Sequence, residues 1–145
     1  MKNLSHGEYN YIFSRVPRIC VDVVVKDKDG VILTKRAIEP WKGFWHLPGG
    51  MIFFNEKIED AVKRVAQDEL GIRVKIEKLL GHIEYLNEVR KRRRNHSISI
   101  AFQVKPLSKT LKTNWQATDA KFFKTAPRGI IPIQLRLLRK NRLIK

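Results

Sequence analysis

A long segment without helix breakers, enclosed by glycines, constrains the fold of this chain more than any other feature. Residues 49–72 start with two glycines and close on a third, and residues 55–70 contain no glycine or proline. Three acidic residues lie near the start of this stretch, where the helix dipole favours anions, and Gly71 follows its end. We therefore predict a single helix from Asn55 to Leu70.

This predicted helix carries an acid on its apolar face. At about 100° per residue, Glu69 falls within the stripe of apolar side chains, and Asp68 lies at the edge of that stripe. A carboxylate that faces a core must be paired, protonated or bound to a metal, because leaving it bare costs several kcal/mol. Arg64 precedes Asp68 by four residues and can pair with it. The sequence thus leaves two interpretations open, a structural ion pair and a metal site.

The spacing of the segment resembles the Nudix box, Gly-x5-Glu-x7-Arg-Glu-U-x-Glu-Glu-x-Gly-U, in which U is apolar. Asp68 replaces one glutamate of this pattern, and Val65 stands where the pattern has the glutamate after the arginine. With a non-acidic residue after the arginine, the sequence resembles the GDP-mannose mannosyl hydrolase branch of the family. The matching residues are Gly50, Glu56, Arg64, Glu69, Gly71 and Ile72.

The order of the other predicted elements agrees with this resemblance. A capping box at Ser5 predicts a short first helix, residues 18–36 predict a β-hairpin, three strands follow the box, and residues 130–143 predict a final amphipathic helix that packs on the sheet. We predict a single domain over residues 1–145, an α/β protein with a Nudix-like α/β/α sandwich in which a mixed β-sheet lies between helices.

The resemblance also implies a chemistry. The family hydrolyses nucleoside diphosphates linked to another group, with Mg²⁺ or Mn²⁺ as cofactor. By the same resemblance, the metal ligands would be the Gly49 carbonyl, the Glu69 carboxylate and the Gln116 side-chain oxygen, with Asp68 as a bridging or indirect ligand. Hard divalent cations prefer such oxygen ligands. Glu56 and Arg64 would form an ion pair that orients the helix.

Three further residues are candidates for the substrate. Arg36 matches the position that stabilises the leaving group in that branch, and Asp22 matches an acid near its substrate. The alternative for Asp22 is a solvent-facing strand residue. His96, beside a run of cations at residues 90–94, is a further candidate for substrate binding. Steering of an anion, docking of RNA and simple solvation remain open for that run.

The catalytic base and the bond that is cleaved stay undecided. Ala117 stands where the branch has a histidine that serves as the base for water attacking the sugar carbon. Attack at that carbon would need another base, for which His46, His96 and Asp119 are candidates. Attack at phosphorus could instead use a water activated by the metal and a nearby carboxylate. The substitutions at positions 65 and 117 also motivate an alternative, a catalytically degenerate Nudix-fold protein that binds nucleotide or RNA.

Composition limits the partners. A formal charge of +16 and a pI near 10.3 indicate a surface that attracts phosphates, so nucleic acid is an alternative partner that we do not favour. We expect a cytoplasmic protein without a membrane span or signal peptide. The one cysteine, Cys20, allows no internal disulfide and is expected in the core. A homodimer is implied only by the resemblance.

Overall fold

The computed structural model describes residues 4–39, 41–90, 93–108 and 110–145, with side chains for all of these except residues 87–90 and 93–95. Three helices and seven strands follow one another within these ranges. They are α1 (His6–Phe13), β1 (Arg18–Asp27), β2 (Gly30–Arg36), β3 (Trp45–His46), β4 (Gly49–Met51), α2 (Ile58–Leu70), β5 (Val74–Arg90), β6 (Arg93–Pro106), β7 (Ala117–Phe123) and α3 (Pro132–Lys140).

The strands form one mixed sheet, and β1 is its central strand. The main order is β3-β2-β1-β6-β5, while β4 also pairs with β1 and β7 with β2. β1 and β6 run parallel, with Arg18 opposite Ser97 and Val25 opposite Val104, whereas the other pairs are antiparallel. The prediction of a mixed sheet is therefore confirmed.

Both faces of the sheet are covered, which explains the nearly continuous run of valines in β1. Val23 and Val25 point to one side and pack with α2 through Val62 and its neighbours. Val24 points to the other side and packs with Leu138 of α3. The sheet thus lies between helices, and the predicted α/β/α sandwich is confirmed.

Some predicted boundaries are wrong. The helix of the box begins at Ile58 and not at Asn55, because Asn55 adopts a left-handed conformation with φ 61° and Lys57 is extended. Residues 73–78 and 79–86, whose loose alternation predicts two separate strands, form one strand, β5. Its pairing with β6 shifts register between Ile76 and Lys78 and again near Gly81. A β-bulge bends a strand without ending it, so the loose alternation suggested a break.

One alternative is excluded, and one expectation needs correction. Asp22 is buried with 5% of its surface exposed, so it is not a solvent-facing edge residue. Cys20 is only half-buried and lines a cleft, so it is not a core thiol.

The outer elements agree with their predictions. The capping box at α1 is formed, and α3 packs on the sheet as expected. Within the cationic run at residues 90–94, Lys91 and Arg92 lie outside the described residues, and the backbones of Arg90 and Arg93 pair at the ends of β5 and β6. No helix in the described part of the chain is long and apolar enough to cross a membrane.

Candidate active site

A cleft of about 190 Å³ is lined by residues of β1, β4, β6 and the last turn of α2. It brings together residues that are far apart in the sequence, but some of the predicted site residues do not line it. Five of the residues predicted to bind metal or substrate line this cleft, namely Asp22, Arg36, Gly49, Glu69 and Gln116. The box residue Gly50 and the candidate base His46 line it as well. Asp68 and His96 are not among the lining residues.

Glu69 is the buried acid of the cleft, with 9% of its surface exposed. Burial raises the pKa of its carboxyl to about 7, and the negative charges of Asp22 and Asp68 add to this effect. A hydrogen bond from the Gly49 backbone and the charge of Arg36 act in the opposite direction without cancelling it. The carboxylate at this position is therefore destabilised by its surroundings and would be relieved by a proton or a cation.

Asp22 lies next to Gly49 across the β1–β4 pair. Its Oδ2 accepts a hydrogen bond from the hydroxyl of Tyr85 at 3.0 Å. A Cβ atom on Gly49 would lie only 2.5 Å from Asp22 Oδ1, so glycine is required for this close approach. The position of the Asp22 side chain therefore depends on Gly49, the first glycine of the pair that precedes the box helix.

The donor set fits a hard divalent cation. Among the described residues, no three side chains of His, Cys, Asp or Glu cluster closely enough to form a metal centre by themselves. The cleft is instead lined by Glu69, Gly49 and Gln116, residues that carry a carboxylate, a backbone carbonyl and a side-chain amide. Carboxylate, carbonyl and amide oxygens are the ligands that Mg²⁺ and Mn²⁺ accept in proteins.

The base of the box helix is held by an ion pair between Glu56 and Arg64. Arg64 Nε donates to Glu56 Oε1 at 2.6 Å and Nη2 donates to Oε2 at 2.9 Å. The same Nη2 donates to the Met51 carbonyl at 2.7 Å, and the Phe53 N–H donates to Glu56 at 2.9 Å. The pair thus fastens α2 to the end of β4 and fixes where Glu69 enters the cleft.

Asp68 does not line the cleft. Its side chain is 59% exposed, and its carboxylate lies 3.7 Å from the Arg64 guanidinium. It contributes negative charge near Glu69 from outside the lining residues.

The three candidate bases are placed differently from one another. His46 lines the cleft, but its Nδ1–H donates to the Leu47 carbonyl at 2.7 Å and its Nε2 accepts from the Thr34 hydroxyl at 3.1 Å. Burial, assisted by the charge of Arg36, lowers the pKa of His46 to about 3. It is therefore a neutral structural residue.

The other two candidate bases do not line the cleft. Asp119 forms an ion pair with Lys121 at 2.7 Å. His96 directly precedes Ser97 on β6, and since strand side chains alternate, it faces away from the side on which Ser97 lines the cleft.

Several lining residues were not predicted from the sequence. Gln134 of α3 is 3% exposed; its Oε1 accepts from the Leu47 N–H at 2.8 Å and its Nε2 donates to the Tyr85 hydroxyl at 2.8 Å. A glutamine between Ile131 and Leu138 on the apolar stripe of α3 is the signal that could have found it. Arg18, Trp41, Tyr85, Ser97 and Ser99 are also among them.

A mixed sheet between helices, with a buried glutamate at the end of a helix that an Arg–Glu pair fastens to the Gly-Gly strand β4, defines a Nudix hydrolase. The model of the NUDIX domain matches residues 16–127, so the chain belongs to this family and the resemblance is confirmed. It is thus a Nudix-type hydrolase that acts on nucleoside diphosphate derivatives, and such enzymes generally use a divalent cation such as Mg²⁺ or Mn²⁺.

Two relatives and one solved structure illustrate the likeness. The chain is 36% identical to the low-salt glycan biosynthesis protein Agl8 of Haloferax volcanii, over 90% of this chain and 86% of that protein. It is 34% identical to the ADP-ribose pyrophosphatase of Methanocaldococcus jannaschii, over 74% of this chain and 62% of that protein. A MutT NUDIX hydrolase from Burkholderia pseudomallei shares the fold with a TM-score of 0.76 at 22% identity, over 86% of this chain and 97% of that one.

Proposed function

We propose that this hydrolase cleaves a nucleotide sugar and depends on Mg²⁺ or Mn²⁺. The observation that carries the proposal is the buried carboxylate of Glu69, which shares one cleft with the acid Asp22 and the cation Arg36. The similarity to Agl8, whose name refers to glycan biosynthesis, supports a sugar as the group linked to the diphosphate.

In this proposal the cation is held by Glu69, the Gly49 carbonyl and the Gln116 side chain. When bound, it would neutralise the negative charge that develops on the diphosphate. Asp68 does not line the cleft, so in this proposal it is not a direct ligand and acts through its charge on Glu69. Arg36, at the end of β2, would bind the phosphate oxygens of the leaving group and stabilise them as the bond breaks.

We further propose that water attacks phosphorus and not the sugar carbon. Attack at carbon requires a dedicated base, and none of the three candidates is suited to that role. His46 is neutral with both ring nitrogens hydrogen-bonded, while His96 and Asp119 do not line the cleft. Asp22 and Glu69 line the cleft, and in this proposal one of these carboxylates accepts the proton of the attacking water.

The test is hydrolysis of a panel of nucleotide sugars, ADP-ribose and nucleoside triphosphates with and without Mg²⁺, run in ¹⁸O-labelled water. We expect turnover of nucleotide sugars, with the label in a phosphate-containing product. Label in the free sugar would overturn attack at phosphorus. Glu69→Gln should lower kcat by at least about 100-fold, whereas the matched variant Glu59→Gln, at an exposed position of the same helix, should leave it unchanged.

The same panel tests the alternative of a protein that binds without turnover. Val65 is buried in the core against Gly50, so no carboxylate reaches the cleft from that position. Tight binding of nucleotide or RNA, with no hydrolysis of any compound at any metal concentration, would favour that alternative over the enzyme.

A further inference from the structure

A second polar surface lies in the same cleft, at a distance from Glu69. Arg18 precedes Asp22 by four positions on β1, so the two side chains share one face of the strand. On the neighbouring strand β6, Ser97 is the register partner of Arg18, and Ser99 follows on the same face. Arg18, Ser97 and Ser99 all line the cleft. We call these three residues the basic corner.

The guanidinium of Arg18 is held in place by neutral groups. Its Nη1 donates to the hydroxyl of Tyr9 from α1 at 2.9 Å, and its Nη2 donates to Ser97 Oγ at 3.3 Å. Its Nε is buried and has no hydrogen-bond partner. Among the side chains that the structure describes, no carboxylate lies within ion-pair distance of Arg18. Within the described part of the chain, the corner thus holds a positive charge without a carboxylate as counter-ion.

Ser99 adds a second unsatisfied group. Its side chain is 1% exposed, and Oγ makes no hydrogen bond within the described part of the chain. Buried polar groups are normally hydrogen-bonded, because an unmade bond costs the full desolvation of the group. The Nε of Arg18 and the Oγ of Ser99 thus both lack a hydrogen-bond partner among the described residues. Two such atoms on residues that line one cleft indicate a ligand that interacts with both residues.

The position of the corner relates it to the substrate. At about 3.3 Å per residue, the four-residue step along β1 separates Arg18 from Asp22 by about 13 Å. A diphosphate held beside Glu69 and Arg36 would therefore leave the corner to a different part of the same molecule. A guanidinium and a hydroxyl complement the oxygens of a carboxylate or a phosphate, to which arginine binds in a bidentate manner.

From these observations, and resting on the proposed function, we infer that the basic corner binds an anionic group, a carboxylate or a phosphate, that the substrate carries in addition to its diphosphate. The preferred substrate is then a nucleotide derivative with an extra negative charge on the sugar or on the nucleoside.

The test is the affinity of two matched ligand pairs, measured by calorimetry in EDTA at fixed ionic strength so that no metal-dependent hydrolysis occurs. UDP-glucuronate against UDP-glucose reports a carboxylate on the sugar, and ADP-ribose 2′-phosphate against ADP-ribose reports a phosphate on the nucleoside. We expect the charged member of at least one pair to bind about tenfold more tightly. Arg18→Gln should abolish that advantage, and Arg18→Lys should keep part of it.

The control for net charge is Arg15→Gln, which removes one exposed cation from the same N-terminal region and should keep the full advantage. An advantage that survives Arg18→Gln, or its absence from both pairs in the unmodified protein, would overturn the inference. If Arg18→Gln does not fold, Arg18→Lys and Ser99→Ala carry the test, and each should reduce the advantage. Hydrolysis of the same four compounds with Mg²⁺ is scored separately, so failure of turnover counts against the proposed function and not against the binding result.

Discussion

At the scale of single residues, Glu69 combines predictable and unpredictable properties. Its inward direction follows from the periodicity of one helix, so the sequence alone predicted it. The burial of Asp22, by contrast, depends on Gly49 and Tyr85, which reach it from other strands. Such a contact has no local signal, because residues separated by more than sixty positions meet only when the sheet is complete.

The raised pKa of Glu69 predicts how the metal-free protein responds to pH. The folded state holds the proton of the Glu69 carboxyl group more tightly than the unfolded state does. The free energy of unfolding therefore decreases as pH rises from about 4.5 to about 7. The full penalty above that window is on the order of 3 kcal/mol. Urea unfolding in EDTA should therefore show Glu69→Gln to be more stable than the unmodified protein at pH 8 and similar to it near pH 4.5.

Two comparisons make this result specific to the cleft. Mg²⁺ should restore stability to the unmodified protein at pH 8 but should not stabilise Glu69→Gln. Glu59→Gln, at an exposed position, should not alter the pH dependence. A stability difference between Glu69→Gln and the unmodified protein that stays constant from pH 4.5 to pH 8 would contradict the assignment of the buried charge.

At the scale of the elements, types were easier to predict than ends. The box helix and the first hairpin carry strong patterns and were found, whereas the start of α2 depends on the conformation of Asn55 and on how Glu56 turns back to Arg64. The length of β5 depends on its pairing with β6. This pairing continues past each shift of register, where the alternation in the sequence is interrupted. Local propensity does not contain either piece of information.

The helix α3 was predicted to pack on the sheet, but its part in the cleft was not predicted. Replacing Gln134 by leucine would leave the Leu47 N–H and the Tyr85 hydroxyl without this partner. We expect a loss of about 1–3 kcal/mol in the free energy of unfolding and a higher KM, because Tyr85 also donates to Asp22.

The matched control is Gln67→Leu, which makes the same chemical change at an exposed position of α2. It should alter the free energy of unfolding by less than about 0.5 kcal/mol and leave KM unchanged. Equal effects of the two variants on KM would refute the role of Gln134 in positioning the cleft.

At the scale of the whole molecule, the formal charge of +16 should accelerate the capture of anionic substrates. The Debye length falls from about 30 Å at 0.01 M salt to about 8 Å at 0.15 M, so long-range attraction is screened over that range. We expect kcat/KM to fall several-fold between these conditions while kcat stays nearly constant. Stopped-flow measurement of nucleotide association would check this, and a salt-independent association rate would contradict it.

The parallel pairing of β1 with β6 brings Arg18 next to Ser97, 79 positions later in the chain. Closing so large a loop costs more entropy than forming the local hairpins β1–β2 and β5–β6, so this seam is expected to close late in folding. Residues of both β1 and β6 line the cleft, so the cleft is complete only when these two strands have paired. A nascent or partly folded chain, in which β1 and β6 are not yet paired, would then bind no substrate. A bound nucleotide would stabilise the pairing of β1 with β6.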